Sequence, residues 1–422
     1  MSSKTPKFTW CLLASLYTTQ YLGLGFLVVA LVVILREQGA TLGQVSLIYL
    51  MGMVWPFKFL WAPLVDKYSI ARIGHYRTWL IVMQSGLALT FLGFGQFEPL
   101  NDFTVIYALC LLVAVFSATQ DIAIDGLACR LLSPDERGVG NGIQIAGGLL
   151  GNMLGGGAVL LAYPHLGWHG SVMILAVGTC LPLALLVWFR EPRWNTPRAS
   201  GNTLMRCIKA FWRQPNGRHW LVLLLLYPMS SSLAYALITP ILVDAGWRME
   251  RIGFSVNVVG SSLGVLAALS TGWLLTKLGR RKALIGAALV QIPGIAVIAL
   301  PVFGYTSDMV ATLSIGLFFL LYNPAATVLA TVMMDHASFE SPATDYTFQY
   351  SLNMFVAMGM MSAGAALADT FGYAGVLALA VLTAVIAALL SLRYQPTGRA
   401  AHRRYERSPL QPAALAISEE AR

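Results

Sequence analysis

Apolar residues gather into twelve runs, near 10–34, 43–62, 78–95, 103–127, 139–163, 170–189, 220–242, 252–275, 283–303, 309–334, 346–369 and 374–392. Most are separated by only a few polar, glycine or proline residues. A helix needs about 20 apolar residues to cross ~30 Å of hydrocarbon. Inside a bilayer every backbone N–H and C=O must pair within the protein, so runs of this length are helices. The pattern predicts an all-α integral membrane protein with twelve transmembrane helices. Its longest polar interruption, 190–219, splits them six and six. The expected organisation is an N-terminal half (1–189), a cytoplasmic linker (190–219), a C-terminal half (220–393) and a basic cytoplasmic tail (394–422).

Composition agrees. The 422 residues are 57% hydrophobic and only 11% charged, against roughly 25% charged in soluble domains. A formal net charge of +9 in a soluble protein points to nucleic acid, but here the bases are sided. With the N-terminus inside, all but four of the 28 lysines and arginines fall on one face. Arg36, Arg248 and Arg251 lie on the other, and Lys58 lies within a run. The positive-inside rule makes the basic face, with both termini, cytoplasmic. The first run is too long for a signal h-region and lacks a small-residue cleavage site, so it is expected to remain as the first span.

The two halves repeat. Ile34-Leu35 then Gly39 recurs as Ile241-Leu242 then Gly246. Ser133-Pro134 recurs as Ser341-Pro342, and Gly151 and Gly156 recur as Gly359 and Gly364, all at an offset of about 207–208. Two six-helix units in the same orientation form a parallel repeat, and solute sites in such proteins lie between the repeats near the midplane.

Charges inside a membrane cost ~3 kcal/mol or more each and face a cavity or a partner. Lys58, Asp121 and Asp125 are of this kind. Lys58 stands about two turns from Asp66. Asp121 and Asp125 share one helix face at i, i+4, at a depth that allows a Lys58–Asp121 pair and leaves a second carboxylate to carry a proton. The alternative is a purely structural ion pair. Polar and aromatic residues recur where a central cavity would be lined: Tyr17, Gln20 and Tyr21; Gln120; Asn141 and Gln144; Tyr227 and Tyr235; Asn257; Tyr322 and Asn323; Tyr346, Gln349, Tyr350 and Asn353. Such a lining suits a bulky organic ligand better than a bare ion. Any one of them serves equally well as an interfacial tyrosine or an interhelical hydrogen bonder.

Between the second and third runs the chain reads Ala62-Pro63-Leu64-Val65-Asp66-Lys67-Tyr68, then Arg72, Gly74 and Arg77. Between the eighth and ninth it reads Gly272-Trp273-Leu274-Leu275-Thr276-Lys277-Leu278-Gly279-Arg280-Arg281-Lys282. Both resemble the loop signature of the major facilitator superfamily. The first copy has Ala62 for a glycine, and the second has Thr276 for the acid. The resemblance implies a major facilitator fold and a conformational switch built from Asp66, Lys67, Arg77, Lys277, Arg280 and Arg281. The stretches Phe57–Asp66 and Ala118–Asp125 resemble the branch that holds muropeptide permeases, acetyl-CoA transporters and siderophore permeases. Leu16–Phe26 and Leu35–Ala40 are most similar to siderophore permeases of the rhizobactin and pyochelin type, as is the twelve-span length. What this implies is import of a ferric siderophore into a Gram-negative cytoplasm, with muropeptide or drug-like solutes as the rival. The run Gly147–Gly156 resembles the fifth-helix motif of superfamily antiporters, with Asn152 in place of proline, and is expected to pack against the other half.

Other classes lack their chemistry. No phosphate-cradling GxxxxGK(S/T) and no HExxH occur. Gly260-Ser261-Ser262-Leu263-Gly264 matches GxSxG but lies mid-span, where helix packing explains it. The five cysteines form no CxxC, and His165 and His169 sit alone in a glycine-bearing loop. No enzyme, metal or cofactor is expected. The expected partners are a small-molecule substrate, protons and the lipid bilayer. No nucleic acid is expected, and a monomer suffices.

Overall fold

A computed structural model describes residues 5–70, 72–194, 204–206, 208–209 and 217–395. Much of the linker (195–203, 207, 210–216) and of the basic tail (396–422) lies outside the described residues. Those described form helices and turns, with one isolated β-bridge between Ile70 and Gly74.

Eight helical segments are long and apolar enough to span a bilayer. Two of these are hairpins. One turns at Gly167 (φ 62°) and the other at Gly372 (φ 68°), a backbone region that glycine enters without a Cβ clash. Splitting them gives α5 (137–166), α6 (168–188), α11 (342–371) and α12 (373–391). The remaining single spans are α1 (Lys7–Glu37), α4 (Phe103–Leu131), α7 (Gly217–Asp244), α8 (Glu250–Leu274), α9 (Arg280–Val302) and α10 (Asp308–His336). Two less regular passes complete twelve: α2 (42–67) and α3 (His75–Phe94). The α2 pass is broken by 3₁₀ turns at Met51–Met53 and Lys58–Leu60. Pro56 lies between them and has no N–H for an α-helical bond.

The switch residues Asp66 and Lys67 stand in the last turn of α2, Ala62–Lys67, and not in a loop as the motif suggested. Pro63 occupies the first turn of that segment, where its missing N–H is harmless.

The glycine run of α5 corrects another expectation. It packs α5 onto α1 of its own half, not onto the other half. A Cβ on Gly151 would fall 2.1 Å from the Thr18 carbonyl oxygen, and one on Gly155 only 1.9 Å from that of Leu22. The backbones touch, so neither helix can yield by a rotamer change. Gly155→Val is therefore expected to destabilise by more than the ~1–3 kcal/mol of ordinary overpacking. Gly157→Ala, with nothing within 4 Å of its Cβ position, is expected to be neutral. Monodisperse yield in size-exclusion chromatography compares the two, and equal yields would refute the packing argument.

Between the halves the glycines used are others. On α5, Gly138 and Gly142 meet Gly272 of α8, with Cβ positions 2.6–2.8 Å from Leu275 and the Ala268 carbonyl. This crossing and that of α2 with α11 join the halves near the basic face.

The apolar core shows where the halves part. At the basic end one buried cluster runs through both halves, from Leu12, Tyr76 and Leu127 to Trp220, Leu284 and Met334. Toward the other end the clusters separate. Leu22, Phe26, Phe91 and Val172 belong to the first half alone. Leu237, Ile298, Phe318 and Leu377 belong to the second, with Leu149 of α5 packed against their edge.

Candidate functional site

Five helices bring the site together, with Asn141 and Gln144 of α5 joining the four below. The 3₁₀ turn of α2 holds Lys58, α4 holds Asp121 and Asp125, α1 holds Tyr17 and Tyr21, and α11 of the other half holds Tyr346 and Tyr350. In the storey farther from the basic face, Lys58 makes an ion pair with Asp121, both fully buried. Trp55 and Tyr350 hold the ammonium between their rings, with centroids 5.1 and 4.6 Å from Nζ. The faces of aromatic rings attract a desolvated cation. Tyr21 packs on Trp55 at 5.0 Å, and its hydroxyl is 2.9 Å from that of Tyr350. That bond joins the two halves directly above the ion pair.

In the other storey Asp125 Oδ1 accepts from the Tyr17 hydroxyl at 3.1 Å and from Gln144 Nε2 at 2.9 Å. Asp125 Oδ2 has no hydrogen-bond partner among the described residues. Tyr346 shares its one hydroxyl proton between Gln144 Oε1 (2.8 Å) and Asn141 Oδ1 (3.2 Å). Its ring lies nearly parallel to that of Tyr350, centroids 6.2 Å apart. Lys58 and the two acids therefore form one polar column at the junction of the halves, and α11 supplies one wall.

Other cavity candidates scatter. Tyr235 and Tyr322 gather with Phe318 and Phe319 into an aromatic group at the inner edge of the second half. Asn257 and Asn353 are half-buried and bond the Gly253 and Leu224 carbonyls. Asn323 is spent on the Phe319 carbonyl. Four candidates are buried inside one half. Tyr227 is buried between α7, α9 and α12, bonded to the Leu284 carbonyl and Ser391. Gln349 joins Trp220 to the Met333 and Asp345 carbonyls inside the second half. Both face inward because their helix turns do, which spacing alone does not reveal. Gln20 and Gln120 are likewise buried within the first half, Gln120 on the Leu16 carbonyl.

Toward the basic face a second constellation closes the halves together. Asp66 accepts from the Thr344 backbone N–H (2.8 Å), the Thr344 hydroxyl (2.6 Å), the Ala343 N–H (3.3 Å) and the Tyr76 hydroxyl (2.8 Å). It thus caps the N-terminus of α11, where unpaired N–H groups and the helix dipole favour an anion. Asp335 of α10 joins Arg137 of α5 (3.0 Å) to Arg280 of α9 (2.6 Å). Arg280 also donates to the Pro134 carbonyl of the first half at 2.6 Å. Arg130 donates to the Phe339 carbonyl at 3.1 Å, its guanidinium lying between the rings of Tyr76 and Trp194.

Of the six switch candidates, Asp66 and Arg280 therefore bridge the halves, and four act locally. Arg77 closes the C-terminus of α6 through the Leu186 and Val187 carbonyls. Arg281 binds the Leu392 carbonyl of its own half. Lys67 and Lys277 lie over the rings of Tyr68 and Trp273. Beside Arg77, Glu191 returns the arrangement by accepting from the Tyr76 and Arg77 N–H groups at 3.2 and 2.7 Å. Burial pushes its carboxyl up to about 7. Sequence reasoning missed Thr344, Arg137, Asp335 and Arg130. The signal was present, since Ser341-Pro342 and Ser133-Pro134 mark repeated helix starts that must face the ends of α2 and α8.

The structure is thus a two-halved helical bundle with a buried charge column at its seam and an interlock at one end. The chain belongs to the Major Facilitator Superfamily, whose family model matches residues 13–344. Among curated proteins it is similar to the anhydromuropeptide permease of Escherichia coli K12, 32% identical over 263 residues, 60% of this chain and 51% of that protein. It is also similar to the putative transporter AmpG 3 of Rickettsia prowazekii, 25% identical over 354 residues, 78% of this chain and 82% of that one. The chain spans about half the length of the E. coli permease it matches. Among solved structures it resembles the E. coli transporter FucP in its outward conformation (TM-score 0.68, 13% identity, 92% of this chain and 99% of that one). It also resembles the human organic anion transporter MFSD10 (TM-score 0.71, 14% identity, 92% and 100%). At those identities the likeness is one of fold.

Proposed function

We propose that this chain imports an amphipathic muropeptide-class solute, an amino sugar bearing a short peptide, across a bacterial inner membrane. The observation that carries the reading is the column at the seam. Stacked tyrosines suit sugar faces, the amides suit hydroxyl and acetamido groups, and Lys58 supplies a cation for a carboxylate. The names of the E. coli and Rickettsia relatives point the same way. The basic face is taken as cytoplasmic, so the interlock closes the inner side. Residues 1–189 and 220–393 rock as two units about the α5–α8 crossing, and the α2–α11 crossing releases as the basic face opens. Asp121 is matched by Lys58, whereas Asp125 has only neutral hydrogen-bond partners, so Asp125 is assigned the coupling proton.

A ferric siderophore is the rival cargo, favoured by the Leu16–Phe26 and Leu35–Ala40 stretches of the first helix. The test expresses the chain in cells lacking their own muropeptide permease and follows uptake of a radiolabelled anhydro-disaccharide tripeptide beside an iron-55 siderophore. Accumulation of the first, abolished by a protonophore, is expected. Accumulation of iron alone would replace this reading with its rival. Asp125→Asn is expected to remove concentrative uptake while leaving exchange of solute down its gradient. Equal concentrative uptake in the variant would clear Asp125 of the coupling role.

A further inference from the structure

Toward the basic end of the second half, α8, α9 and α10 part to leave a groove of about 200 Å³. Thr271, Leu274, Leu275 and Leu278 form one side of it, and Pro324 and Val328 of α10 also line it. The floor belongs to α9, where Ala283, Gly286 and Ala287 keep the surface low. A Cβ on Gly286 would meet nothing within 4 Å, so the space above it is open. Lys282 stands at one end of the groove and Val290 near the other, roughly 12 Å apart along a helix rising 1.5 Å per residue.

The chemistry of the two ends differs. Nearly all of the lining is apolar, at a depth where the surrounding solvent is hydrocarbon. The end at Lys282 opens onto the stretch Thr276–Lys282, which holds four bases and no acid. Arg280 is engaged by Asp335 and Arg281 by the Leu392 carbonyl. Lys282, in the lining, is exposed and remains for an outside partner, and Lys277, exposed over the Trp273 ring, lies five residues before it. A long apolar slot with cationic side chains at one mouth matches an acyl chain tied to an anionic headgroup. Juxtamembrane bases attract anionic lipid headgroups.

We infer that this groove is a binding site for one anionic phospholipid, its acyl chain lying over Gly286 and its phosphate held by Lys282 and Lys277. The position gives the lipid a role in the transport cycle. One wall of the groove, α8, carries Gly272 of the crossing with α5, and its floor, α9, begins with Arg280 of the interlock. A chain wedged between them holds these two contacts in the spacing of the basic-face-closed state. Phosphatidylglycerol is therefore expected to favour that state. The inference concerns a peripheral site and does not depend on which solute is carried.

Native mass spectrometry of the delipidated, detergent-purified full chain tests it, with phosphatidylglycerol or phosphatidylethanolamine of identical acyl chains added in turn. One retained phosphatidylglycerol is expected, at five-fold or greater excess over phosphatidylethanolamine. The variant Gly286→Leu fills the slot and is expected to lose at least five-fold of that adduct. Lys282→Gln is expected to erase the headgroup preference while keeping lipid binding. Thermal melting in detergent confirms that each variant is folded, and Gly286→Ala provides a milder filling if leucine proves disruptive. No headgroup preference in the unaltered chain would overturn the site. So would full retention in Gly286→Leu together with loss in Lys282→Gln, which marks diffuse attraction of lipid to surface bases.

Discussion

Replacing Lys58 by methionine is expected to reduce solute uptake at least roughly 100-fold, about 2.7 kcal/mol of lost barrier lowering or binding. It is also expected to lower the amount of folded protein. Two separate effects are involved. Lys58 and Asp121 are both fully buried and paired with each other. Removing one partner leaves the other charge in the interior, which costs ~3–5 kcal/mol. Asp121→Asn alone strands the ammonium in the same way, though the rings of Trp55 and Tyr350 offset part of the loss. The double variant Lys58→Met, Asp121→Asn removes both charges and should recover the yield of folded protein. If the pair is only structural, uptake recovers with it. If Lys58 contacts the solute and the pair sets the neighbourhood of Asp125, uptake stays near background. Uptake by the double variant within two-fold of the unaltered chain would end the functional assignment of the pair.

The second large effect is expected at the interlock. Asp66 accepts from four donors, and three of these belong to Ala343 and Thr344 at the start of α11. Hydrogen bonds to a charged group contribute ~1.5–3 kcal/mol each. A loss of only ~3 kcal/mol moves a two-state equilibrium by about a hundred-fold. Asp66→Ala should therefore shift the protein toward a state open at the basic face, with slow net transport because the return step is now uphill. Thr344→Val removes one donor and keeps the backbone contacts, so its shift should be smaller and in the same direction. Spin-label distances between cysteines placed at the basic ends of α4 and α10 report the opening. Unchanged distances in Asp66→Ala would show that Arg137, Asp335 and Arg280 close this face without it.

The asymmetry of the two crossings gives this prediction its direction. Where α2 meets α11, the acid of the motif holds a helix start. Where α8 meets α5, Thr276 stands in its place, and Gly138, Gly142 and Gly272 bring the backbones together instead. One crossing is polar and releasable, and the other is a close apolar contact suited to a pivot. The halves are alike in fold and differ in how they are fastened.

Much of this was legible along the chain. Twelve apolar runs, the sidedness of the bases and a constant repeat offset define the helices and their division, because bilayer thickness and backbone pairing leave a chain in lipid little choice. The three intramembrane charges stood out for the same reason, since a charge in hydrocarbon needs a partner. The direction in which a side chain points across a bundle was not legible. Tyr227 and Gln349 look like cavity residues in sequence and are core residues in space, because a helix that is apolar almost all round carries little moment to show which face turns inward. The glycines of α5 announce close packing without saying against which helix. Thr344, Asp335 and Arg130 are ordinary polar residues until α11 and α10 are brought to the ends of α2, α4 and α5. Sequence alone determined that this is a two-halved membrane bundle with three intramembrane charges in its first half, because that follows from local transfer energies. Only the tertiary structure decided which charges pair, which tyrosines reach across the seam and which end is closed, because contacts between residues two hundred positions apart depend on how whole helices pack.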